Sequence, residues 1–264
     1  MKSMIFLEFI VITAAVFTQG TGLAWAQSIF LEPNNYGSVH VEALRPGLEG
    51  RDLSTFTFAW YLSGRIPMGK TTQLRLELPY MNYRDDTYGY YPELSQGKNA
   101  VGNPYLGVEA GNIARGFQGE FGLRLPVVKN TSGAVVEGMV ADPVERMEAF
   151  IPETMPMYMG ANFRYRSGGG FAMRLRLVPV FCVYVGDGSS DPELFALYSA
   201  QAWYETEKVG VGGGFSGRLL ATDDEGDLGE RTWHQFAFFA NGAFGSFLPG
   251  FQVRFPLDKD LTDS

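Results

Sequence analysis

Along most of this chain apolar and polar residues alternate one by one, the period of a strand whose two faces meet different surroundings. From Thr72 to Tyr80, the residues Leu74, Leu76, Leu78 and Tyr80 share one face, and Gln73, Arg75 and Glu77 share the other. From Gly119 to Leu125, Phe121, Leu123 and Leu125 stand opposite Glu120 and Arg124. The stretch from Phe171 to Leu177 places Arg174 and Arg176 together on its polar face, and Phe251 to Phe255 repeats the pattern around Arg254. Beyond the N-terminal segment no run has the 3.6-residue period of an amphipathic helix. The alternation predicts an all-β chain with strands over 37–45, 53–63, 71–82, 102–112, 117–128, 157–167, 171–184, 194–206, 208–220, 232–242 and 248–256.

Most of these strands run to about 9–13 residues, whereas strands of soluble sheets average about 5–6. A tilted strand that crosses a bilayer needs about 9–11. The connections alternate as well. Short ones fall at 63–70, 112–116, 167–170, 205–208 and 242–247, long ones at 81–100, 128–156, 186–192 and 222–231, and 46–52 is intermediate. Short turns on one side and long loops on the other are the pattern of an outer-membrane barrel, with the turns periplasmic and the loops outside. Eleven candidates is an odd count, and bacterial single-chain barrels use even numbers. The expectation is therefore a twelve-stranded antiparallel transmembrane β-barrel, with ten as the fallback. The missing strand is sought at Ser28–Leu31 or within 128–156, and that long connection is alternatively expected to hold a short helix near Pro143–Ala149.

Alternation alone does not separate a soluble sandwich from a membrane barrel, where the apolar face meets lipid and the polar face lines the lumen. Strand length favours the barrel. So do aromatic residues near the strand ends, Trp60, Tyr61, Tyr80, Tyr83, Tyr158, Tyr165, Tyr184, Trp203, Tyr204 and Trp233, which read as interfacial girdles. The polar face then supplies the lumen: Glu42, Arg75, Glu77, Glu109, Glu120, Arg124, Arg164, Arg174, Arg176 and Arg254. In a confined lumen such charges must pair. They form either a structural ladder that fills a narrow barrel or a charged constriction that selects solutes.

The N-terminus adds a compartment. Lys2, an apolar run from Phe9 to Phe17 and the small-x-small site Ala24-Trp25-Ala26 read as a signal peptide over 1–26, with 27–264 as a single barrel domain. The apolar run is too short for a membrane helix, which needs about 20 residues. Cys182 is the only cysteine, so an intramolecular disulfide is excluded. The net charge of −8 gives no reason to expect nucleic acid as a partner. The partners expected are the lipid bilayer, the outer-membrane assembly machinery and a small-molecule cargo.

Motifs that carry chemistry are few. The chain has two histidines; no sequence motif places a serine beside either, and the reading is non-enzymatic. His40 is expected to fill the lumen and His234 to sit at an interface. No Cys/His spacing suits a metal, and no cofactor is expected. The run from Gly210 to Gly214 lies within a strand with no helix after it, so it is read as permitting a sharp bend or the close packing of a neighbour's large side chain and not as a phosphate cradle. The stretch from Asp187 to Asp191 is too short for a calcium loop.

Three stretches carry a family resemblance. Leu-Glu-Leu-Pro-Tyr at 76–80 is followed by Gly102-Asn103-Pro104-Tyr105-Leu106-Gly107 and then by Gly122-Leu123-Arg124-Leu125-Pro126. This order resembles the outer-membrane barrels named for transport in the phenol meta-degradation pathway, over about residues 55–128. The resemblance implies an outer-membrane transporter of small, hydrophobic or aromatic compounds. Phe255, followed by Pro256-Leu257 and a polar tail, departs from the terminal aromatic of that class. The alternatives are a structural or adhesive barrel with a plugged lumen, a membrane-embedded enzyme, and a soluble periplasmic β-domain.

Overall fold

A computed structural model describes residues 14–17, 37–45, 57–83, 99–111, 116–187, 191–222, 229–244 and 247–258. The chain is all-β apart from one insert. Its strands are β1 (Ala14–Phe17), β2 (Ser38–Leu44), β3 (Phe58–Pro67), β4 (Thr72–Asn82), β5 (Asn99–Val101), β6 (Tyr105–Gly111) and β7 (Gly116–Arg124). After the insert come β8 (Thr154–Arg166), β9 (Phe171–Tyr184), β10 (Glu193–Glu205), β11 (Val209–Leu220), β12 (Thr232–Gly242) and β13 (Gly250–Pro256). Every pairing is antiparallel between sequence neighbours, except that β4 pairs with both β6 and the short β5. Twelve strands form the continuous path and β5 lies off it.

All eleven expected strands are present, and 171–184 and 232–242 are exact. The long and short connections fall at opposite ends, with 45–57 joining the long set. The twelfth strand of the path is β1, inside the apolar run read as a signal, and it pairs with β2 from Ala14↔Val41 to Phe17↔Ser38. Ser28–Leu31 lies outside the described residues, and the 128–156 connection holds no extra strand, only the first three residues of β8.

The expected closure is corrected. No ladder among the described residues joins β13 to β1 or β2. From β2 to β13 every step is antiparallel and the path has eleven strands, so these two strands point the same way. An antiparallel seam needs a strand between them, and β1 covers only four residues of β2. The sheet still curls strongly, because Arg254 of β13 comes within 3.6 Å of Glu42 of β2.

The two faces of the sheet are inverted relative to a water-soluble sandwich. On β4, Gln73, Arg75 and Glu77 are buried while Leu76, Leu78 and Tyr80 are exposed. On β9, Arg174 and Arg176 are buried while Leu175, Leu177 and Phe181 are exposed. Of the aromatic residues near strand ends, Trp60, Tyr80, Tyr165 and Tyr204 face out. Tyr61, Tyr158 and Trp203 do not: they are buried on the inner face. Strand parity is the reason, since Trp60 and Tyr61, like Trp203 and Tyr204, must point to opposite sides.

Residues 125–153 fold back against the inner face as an insert. It carries α1 (Gly133–Ala141) and a 3-10 turn (Met147–Ala149). The helix expected near Pro143–Ala149 is thus a single 3-10 turn, and the α-helix lies one segment earlier. Ser132 caps α1 by accepting from the Val135 N–H, and Pro143 follows directly after its C-cap Asp142. No helix among the described residues is long and apolar enough to cross a membrane.

Candidate functional site

The inner face divides into two zones along the strand axis. At the long-loop end it is largely apolar and grips the insert. Leu44, Ala59, Tyr61 and Met81 of β2–β4 pack on Ala134, Val135, Ala141, Ala149 and Phe150. Phe150 meets the Tyr61 ring edge-on, with centroids 6.4 Å apart. Across from them Tyr105, Tyr158, Val178, Val180, Phe195 and Leu197 form a second apolar wall, and the insert's Met147 packs against it. Tyr105 lies over the paired glycines Gly107 and Gly122, where a Cβ at either would come 2.3 Å from its hydroxyl.

Charges tie the insert into this seat. Arg146 reaches Glu42 at 2.7 Å and Asp142 at 2.5 Å, and its guanidinium sits 3.8 Å from the Tyr61 ring centre. Arg254 approaches Asp142 at 2.6 Å as a charge pair without hydrogen-bond alignment. Arg218 of β11 pairs with Glu148 and donates to the Val144 carbonyl. Asn103, wholly buried, is a hub: its amide donates to the Glu148 and Ile151 carbonyls, and its carbonyl oxygen accepts from the Val127 and Val128 N–H groups. Burial alone would raise the Asp142 carboxyl, but Arg254 and Arg146 outweigh it and hold the group at about 2. Burial likewise disfavours the Arg146 charge, and Glu42 and Asp142 more than restore it.

Toward the short turns the inner face becomes arginine-rich. Arg75 pairs with Glu109 at 2.5 Å, and Gln73 donates to the same carboxylate. Arg176 grips Glu120 through two nitrogens, at 2.6 and 3.2 Å, while Asn162 donates to Glu120 and accepts from Arg174. Arg164 stacks over Trp203 at 5.5 Å. Among the described buried charges of this zone, Arg65, Arg75, Arg164, Arg174 and Arg176 face Glu109 and Glu120, with Glu205 at the turn rim. Arg124 and Glu77 pair at 2.7 Å on the border between zones.

All ten sequence-predicted charges, Glu42, Arg75, Glu77, Glu109, Glu120, Arg124, Arg164, Arg174, Arg176 and Arg254, are therefore buried on the inner face, none more than 7% exposed. The structure sorts them. Glu42, Glu77, Arg124 and Arg254 surround the insert, and the other six form the turn-side zone. Sequence reading missed Arg65, Asn103, Asp142, Arg146, Glu148 and Arg218. Arg218 was legible, since it continues the inward parity of Ser216 on β11. Asn103 stands in the quoted Gly-Asn-Pro stretch. The insert residues carry no periodic signal.

The histidines separate. His40 is buried on the inner face and shares a hydrogen bond with Ser38 Oγ at 2.9 Å, which corrects the expectation that no serine stands beside a histidine: two residues apart on β2, they point to the same side. His234 lies near the long-loop end of β12 on the outer face, 2.6 Å from the Tyr198 hydroxyl and 3.2 Å from Asp258. Glycines 212 and 214 make room for Trp203 and Gln201, as expected of that run. No group of His, Cys, Asp and Glu among the described residues could hold a metal ion. No family model matches the chain, and no curated protein matches it.

Proposed function

We propose that this chain is an outer-membrane β-barrel that conducts small molecules and rests with its lumen closed by the 125–153 insert. The observation that carries the membrane reading is the inversion of burial: charged residues sit inside and Leu, Val and Phe stand outside on strand after strand. In water such an outer face would be a single large apolar patch, far beyond what monomeric soluble proteins expose. In lipid it is the lowest-energy surface, and the paired backbone of the ladder satisfies the bilayer's demand for internal hydrogen bonds. The apolar run at the N-terminus and the Ala-Trp-Ala site supply the export route in this reading, and cleavage after Ala26 takes β1 off the edge of β2 and leaves eleven strands on the path.

Two features support conduction over a purely structural role. An apolar wall at the loop end suits an aromatic or hydrophobic body, in keeping with the family resemblance. The arginine-rich zone beneath it suits an acidic group or a small anion on the way through. The second reading is a structural barrel with a permanent plug, favoured by the number of buried ion pairs that hold the insert.

Fractionation with heat-modifiability tests the first step. A membrane barrel stays with the outer membrane and migrates faster unheated than boiled. Recovery in the soluble periplasmic fraction without a mobility shift would overturn it. Planar-bilayer recording tests the second step: conductance that appears when Arg146 is replaced by Met supports a displaceable closure, and none in any variant of the insert supports the plugged barrel.

A further inference from the structure

The insert does more than fill the interior. Its Asp142 and Arg146 stand between the first and last long strands of the sheet. Glu42 on β2 holds Arg146 at 2.7 Å, Arg146 holds Asp142 at 2.5 Å, and Asp142 holds Arg254 on β13 at 2.6 Å. Arg254 returns to Glu42 at 3.6 Å, which completes a ring of two acids and two arginines. All four side chains are at most 3% exposed. The backbone offers no equivalent link among the described residues. The ladder of β1 on β2 ends at Val41, one residue short of Glu42, and β13 is paired only with β12.

We infer that this four-member ring is the clasp across the seam of the sheet, so that release of Asp142 opens the wall between β13 and β2 as well as the lumen. The inference rests on the barrel reading. Removing one member of a buried charge set leaves the others uncompensated in a poor dielectric, so the ring separates as a unit. The other anchors of the insert do not cross the seam. Arg218–Glu148 ties it to β11, and Asn103 ties it to the start of β6. Loosening those frees the insert toward the loop end while β2 and β13 stay bridged. The seam is then a side passage through which an apolar solute moves between lumen and bilayer.

The test places one reporter on the seam. Gln252 lies on the inner face of β13, one inward position from Arg254. With Cys182→Ala removing the native thiol, Gln252→Cys in the full chain, reconstituted into phosphatidylcholine vesicles, is treated with an alkyl-chain maleimide confined to the bilayer. Asp142→Asn is expected to speed its labelling at least tenfold over the parent, and Glu148→Gln to leave it within twofold. Equal acceleration by both variants, or none by Asp142→Asn, would overturn the clasp. Should Asp142→Asn not assemble, Glu42→Gln removes one charge from the same ring and is read in the same way. Failure of the barrel reading itself shows separately, as a parent protein that is soluble and not heat-modifiable.

Discussion

Phe150 packs its ring directly onto Gly138 of α1, so closely that a Cβ at position 138 would lie 2.5 Å from the ring's Cγ. No side chain larger than hydrogen fits there without moving Phe150 off Tyr61. Gly138→Val should therefore destabilise the folded chain by about 1–3 kcal/mol, the usual cost of overpacking. Adding Phe150→Ala should recover part of that loss. The midpoint of the heat-induced mobility shift, compared for the single and double variants, checks both statements.

Arg146 holds two carboxylates that have no route to water. Arg146→Met should cost about 3–5 kcal/mol, as expected when a buried pair loses one partner. Arg146→Met with Glu42→Gln should cost less than the single change, because Asp142 keeps Arg254 as its partner and no acid of the ring is left without a cation. Urea unfolding in detergent, followed by tryptophan fluorescence, measures the difference. A double variant weaker than Arg146→Met would count against ion pairing as the source.

Acid should act on the same group. Asp142 is held near 2 in the folded chain, below the ordinary aspartate value of about 3.9. A depressed folded value means that its contribution is complete above about pH 4 and is lost as the pH falls through about 2. Asp142→Asn should remove that part of the acid sensitivity. Unfolding midpoints from pH 5 to 2 for the parent and the variant should converge at the acid end.

Leu177 stands outward at the middle of β9, 56% exposed. In a lipid-facing wall Leu177→Arg should cost about 2–4 kcal/mol near the bilayer midplane. On a water-facing sheet the same change should stay within about 0.5 kcal/mol. Yield in the outer-membrane fraction and the heat-shift midpoint discriminate.

In any conducting state, Arg174→Glu and Arg176→Glu should shift ion selectivity toward cations, because both lie in the arginine-rich zone. Reversal potentials under a salt gradient read this out. Unchanged selectivity in an open pore would remove the charged constriction from the account.

Much of the wall was legible because its cause is local. A strand with two unlike faces writes its period into adjacent residues, and β9 and β12 were read to the residue. The short β5 has three residues, too few for alternation to show. Pro79 lies within β4, three residues before its end. Its missing N–H is harmless there, since the β4–β6 ladder stops at Glu77 and the β4–β5 ladder starts at Tyr80. The insert was illegible for a physical reason. Residues 133–141 contain two glycines and three valines, poor helix formers. Their helix is imposed by burial against β3 and β4. Glu42 and Arg146 are 104 residues apart, and Glu148 and Arg218 are 70 apart, so no short-range pattern joins them.

Those long separations have an order built into them. The apolar seat made by Leu44, Ala59, Tyr61 and Met81 lies wholly on β2 to β4, ahead of the insert in sequence. The insert lies on these early strands, and Arg218 of β11 and Arg254 of β13 reach it from strands that come later in sequence. Contacts this distant in sequence are slow to form when they must be found by search. Here one docked element, the insert, gathers Glu42 of β2 and Arg254 of β13 at a single place. Arg254 of β13 meets Asp142, so the distance between the two edges of the sheet is held by a piece of the chain that is not part of the sheet.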